Sequence, residues 1–109
     1  MKYYDYPAEK FANARQILLP PFPKGEIEAI DRAFMECRVG LHRMNRAKLD
    51  DTVRTWIYTL ECFMNAEGFS DADGESAWTR KLKSLTDADK RQIFQLVTDL
   101  GNWFASQEV

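Results

Sequence analysis

A chain of 109 residues, 45% apolar and 29% charged, has the makeup of one globular domain, which excludes a disordered or low-complexity segment. At this length roughly 65% of the unfolded surface can be buried, enough for a core without disulfide or metal staples. A net charge of −2 and a pI of about 5.4 exclude a strongly basic domain of the kind that coats nucleic acid or an anionic membrane.

The opening run from Met1 to Pro7 carries three tyrosines, a lysine and an aspartate, so it lacks the apolar stretch of a secretory signal. No segment approaches the ~20 apolar residues that span a bilayer. The expectation is a cytoplasmic protein with no membrane partner. Cys37 and Cys62 form no Cys-x-x-Cys pair and read as reduced, buried, apolar-like residues on helices.

Helical periodicity organises the chain. A first helix is expected over residues 7–19, with Pro7 at its start and Phe11, Ala14 and Leu18 on one face. Pro20, Pro21 and Pro23 end it, because proline removes the amide donor and clashes with the preceding turn. A second helix over residues 25–45 has Ile27, Ile30, Phe34, Cys37, Leu41 and Met44 at alternating three- and four-residue spacings, a heptad-like stripe. Glu26, Glu28 and Asp31 crowd its start and Arg38, His42, Arg43 and Arg46 its end, the order that complements the helix dipole.

A third helix follows a short turn at residues 45–48. Its stripe is Leu49, Val53, Trp56, Leu60 and Phe63, and Gly68 supplies a left-handed stop. Residues 69–74 read as a loop rich in aspartate and glycine. A short helix over residues 75–84 presents Trp78 and Leu82. The last helix opens on a capping box, Thr86 with Asp89, and carries Ile93, Leu96, Val97, Leu100, Trp103 and Phe104. Two glycines interrupt helical pattern, Gly40 and Gly101, each at a cost of ~1 kcal/mol relative to alanine. Close backbone approach and a local kink are the two readings of such positions.

The fold class is therefore all-α, a small helical bundle of four to five helices around a central antiparallel helical hairpin. In that hairpin, residues 25–67, the stripe from Ile27 to Met44 faces the stripe from Leu49 to Phe63. Phe34, Trp56, Leu60, Trp78 and Trp103 are the expected core.

No motif points to catalysis, a cofactor or a metal. Asp71-Ala72-Asp73-Gly74-Glu75 resembles the middle of a calcium loop. With Gly74 at the sixth position, however, the first and twelfth positions fall on Phe69 and Arg80, which are not the required ligands. Cys37 and His42 diverge by roughly 140° around a helix and do not converge on one ion. The sole histidine lacks the Glu-x-x-His spacing of a di-metal bundle.

What remains points to a non-enzymatic protein-interaction or regulatory module: an adaptor, inhibitor or accessory factor, with another protein or a second copy as partner. Tyr3, Tyr4, Tyr6 and Phe22 lie outside the stripes and would form an aromatic contact surface. Arg38, His42, Arg43 and Arg46 would add a basic tip. The alternative is a nucleic-acid-binding regulator that grips phosphates with the tip between Arg38 and Arg54.

Overall fold

The structure, a computed structural model, describes residues 4–42, 44 and 46–107. Among them are five helices: α1 (Asp5–Ile17), α2 (Glu26–Leu41), α3 (Asp51–Phe63), α4 (Ala77–Lys83) and α5 (Asp87–Ser106). The all-α bundle read from periodicity is the observed fold. No described helix is long and apolar enough to cross a membrane.

Each boundary has a local cause. Helix α1 begins two residues before Pro7, and the first amide to bond is that of Ala8, to Tyr4 O at 2.9 Å. Pro7 thus sits in the first turn, where its missing N–H has no acceptor to lose. Helices α3, α4 and α5 each start on a side-chain cap, Asp50, Ser76 and Thr86. Thr86 and Asp89 form the full capping box, with bonds of 2.9 and 3.1 Å. Helix α3 ends before Gly68 because Asn65 intervenes. Its amide donates back to Glu61 O while its carbonyl oxygen accepts from the Glu67 N–H, a local alternative to the helical ladder.

Helix α1 holds the centre of the packing. It packs along both α2 and α5, the most extensive pairings among the described helices, whereas α3 packs on α5 and α4 on α2. Pro7 and Lys10 meet Gly40, and Lys10 and Asn13 reach Glu36, so α1 runs antiparallel to α2. Tyr4 and Phe11 meet Phe104 at ring separations of 5.5 and 5.4 Å, and Arg15 near the end of α1 lies over Phe94 near the start of α5, so α1 also runs antiparallel to α5. Phe11 and Ala14 are completely buried in the resulting sandwich.

The expected packing of α2 against α3 as a hairpin is not built, the main packed pairs among the described helices being α1 with α2 and α5, α3 with α5 and α4 with α2. A tight hairpin would set the start of α3 beside the end of α2. Instead the end of α3 returns to the end of α2: Arg38 donates to Met64 O at 2.6 Å and Arg46 binds Glu61. The reason is the connection. Helix α2 stops at Leu41, and the stretch to Asp50 contains a 3-10 turn at Arg46–Lys48, so the link is long enough to carry α3 away before it returns. The core expectations hold for Phe34 and Leu60, both fully buried, while Trp56, Trp78 and Trp103 are half-buried and cover the core's edges.

Helix α2 continues through Gly40. A Cβ there would lie 2.9 Å from Lys10 Cβ and 3.5 Å from Pro7 Cα, whereas one at Gly101 would sit 3.4 Å from Phe11 Cβ. The contrast predicts opposite outcomes in urea denaturation. Gly40→Ala should lower stability by about 1–3 kcal/mol through overpacking. Gly101→Ala should be neutral or raise it by up to about 1 kcal/mol through helix propensity.

Candidate functional site

The proline-rich turn between α1 and α2 cannot continue either helix, and it folds against the first half of α5. Leu18, Pro20 and Phe22 from the turn, Glu26 and Ile30 from α2, and Lys90, Arg91, Ile93, Phe94 and Gln95 from α5 enclose a cleft of about 490 Å³. Its floor is apolar and well packed, Ile30 and Ile93 being 2% and 1% exposed. Phe22 and Phe94 are half-buried walls. The guanidinium of Arg15 lies 5.9 Å from the Phe94 ring, a cation–π contact that steadies this wall from α1.

The rim is charged and asymmetric. Lys90 donates to Glu26 Oε1 at 2.7 Å. That hydrogen bond is the main reason its ammonium holds its proton above the usual lysine range. Arg91 makes no ion pair among the described residues. An apolar pocket of this size with few convergent polar groups is the common form of a binding site, since ligand clefts run about 300–1,000 Å³.

The sequence-predicted contact residues fall in separate places. Tyr3 and Arg43 lie outside the described residues. Tyr4 was expected on a contact surface but is 7% exposed, because its ring packs on Trp103 and Phe104 at 5.4 and 5.5 Å and closes the end of the core. Tyr6 is 52% exposed with the Lys10 ammonium 5.4 Å from its ring centre. Phe22 lines the cleft.

Arg38, His42 and Arg46 do come together, with Leu41, Met44, Glu61 and Met64, around a second recess of about 370 Å³. The guanidinium groups there are already committed. Arg46 makes two 2.9 Å bonds to the two oxygens of Glu61, and this bidentate pairing raises its pKa further. Arg38 holds Met64 O and stands 4.6 Å from the Trp78 ring. Arg54 donates to the carbonyls of Arg46 and Ala47. These arginines brace the α2–α3 connection, leaving fewer guanidinium donors for phosphate.

The cysteines separate as well. Cys37 is fully buried, and burial, assisted by Glu36, pushes its thiol up to about 12, so the nucleophilic thiolate is suppressed. Cys62 was expected in the core but is exposed; it lies half a turn round α3 from the buried Val53, Ile57 and Leu60. Among the described residues no three His, Cys, Asp or Glu side chains gather to hold a metal. Asp71 of the acidic loop instead accepts from the Ala77 N–H at 2.7 Å and anchors α4.

Sequence reasoning passed over Leu18, Pro20, Arg91 and Phe94 as a set. One signal was available: Phe94 stands beside the α5 stripe rather than in it. Titration with a disulfide reagent at neutral pH should label Cys62 quickly and Cys37 only after denaturant is added. Equal native reactivity of the two thiols would contradict the burial of Cys37.

Compared with family models, curated proteins and solved structures, the chain matches none of them, so the cleft stands on its own geometry.

Proposed function

We propose that this chain is a small non-enzymatic interaction module that captures a partner protein in the cleft between the proline turn and α5, acting as an adaptor, inhibitor or accessory factor. The observation that carries the reading is the cleft itself, an apolar floor of Ile30 and Ile93 between the rings of Phe22 and Phe94. Burying a large apolar side chain there contributes about 1.5–3 kcal/mol, the scale of an interface anchor. Gln95 and the charged rim would orient what enters. A cytoplasmic setting fits the free thiols of Cys37 and Cys62.

A photo-crosslinking amino acid placed at Phe94 should trap one discrete partner in cells that make the protein. The same probe at Tyr58, 70% exposed on α3, should not. Identical adducts from both positions, or none from Phe94, would count against the cleft. A product at twice the monomer mass would identify a second copy as the partner.

A further inference from the structure

Resting on that reading, we infer that the cleft takes an extended acidic peptide segment, in which a large apolar side chain enters between Phe22 and Phe94 and a neighbouring carboxylate pairs with Arg91.

The first support is charge complementarity. Of the cations around the cleft, Lys90 is paired with Glu26 and Arg32 with Glu28, while Arg15 lies against Phe94. Arg91 alone among the cleft-lining cations has no ion pair with a described residue, and Asp87, one turn earlier on α5, is not in ion-pair contact with it. A guanidinium presents a planar fork that matches a carboxylate bidentately. Glu26 on the same rim disfavours a doubly charged phosphate, whereas a single carboxylate beside Arg91 leaves the Glu26–Lys90 pair intact.

The second support is shape. A smaller recess of about 270 Å³ lies beside the cleft, bounded by Ile17, Leu19, Pro21, Pro23 and Ala29, and Phe22 lines both. Leu19 is partly exposed at its edge. An apolar cleft and a mixed recess whose rim carries Gln16, Glu28 and Arg32 share the Phe22 ring and form a track, and an extended chain places side chains in successive recesses at regular intervals. A compact small molecule would fill only one.

The test is selection of the full-length protein against a phage-displayed library of random dodecapeptides, followed by fluorescence anisotropy with the enriched peptides. The expected result is enrichment of an apolar residue with Asp or Glu within a few positions. Arg91→Glu should weaken such a peptide at least tenfold, which corresponds to about 1.4 kcal/mol. Arg91→Lys should retain part of the affinity, and exchanging the peptide's acid for lysine should restore binding to Arg91→Glu. Unchanged far-ultraviolet circular dichroism would show that the variants fold. Enriched peptides without an acid, insensitive to Arg91→Glu but lost on Phe94→Asp, would overturn this inference and leave the protein-binding reading standing. Peptides insensitive to both substitutions would overturn both. Displacement of the peptide by decanoate at equal affinity would assign the cleft to a carboxylated small molecule and overturn the inference.

Discussion

The arrangement depends on how closely α1 can approach α2. At Gly40 the two helices are near enough that a single methyl group would fall 2.9 Å from Lys10 Cβ, closer than side-chain carbons pack. The missing Cβ costs helix propensity in α2, and the close contact offsets it by sealing Phe11 and Ala14 between α2 and α5. Once α1 is fixed on α2, its other face presents Phe11 to Phe104, and α5 follows. Helices α2 and α5 are then held side by side and parallel, a relationship that no short loop can supply. The chain between them, with α3 and α4, serves as the crossover.

That crossover needs its own anchors, and they are polar. Trp78 is the main one. Its indole N–H donates to Asp31 at 2.7 Å, while its ring meets Phe34 at 5.8 Å and carries Arg38 on one face. A tryptophan at a core edge can bury its apolar body and still satisfy its donor. The arginines of the α2–α3 link do comparable work on backbone carbonyls. Basic residues that looked like a phosphate-gripping tip are therefore largely consumed in holding an irregular connection.

The sequence made the helices legible because apolar spacing reports which face is buried, and capping chemistry at Thr86 and Asp89 reports where a helix begins. It did not make the packing partners legible. A stripe such as Ile27 to Met44 specifies a buried face without naming the helix that covers it, and equal-length stripes invite a hairpin that the connecting segment does not build. Single residues with two readings account for most other differences. Asn65 can sit in a helix or close an Asx turn. Asp73 and Gly74, with positive φ of 51° and 78°, make the tight turn that joins Ala72 to Glu75 in a lone β-bridge, as Asp-Gly often does in type I′ turns. Tyr4 lies off any stripe yet packs under Trp103, because helix ends are covered by whatever aromatic the chain brings there. The cleft was illegible for the same reason: it draws on the proline turn and two helices distant in sequence.

The cleft and the fold also divide their residues. Ile30 and Ile93 form its floor and are core residues, so they cannot change without disturbing the bundle. Phe22, Phe94 and Arg91 stand above that floor, where half-burial or exposure leaves apolar area and one cation without a full complement of contacts. The prolines keep the turn from collapsing into this space, since Pro20, Pro21 and Pro23 restrict the backbone on both sides of Phe22. In the proposed reading, a stiff turn that holds an aromatic ring over an apolar floor is preorganised for a partner, and preorganisation reduces the ordering entropy lost on docking. The features that let α1 stop abruptly thus also shape the cleft proposed to hold a partner.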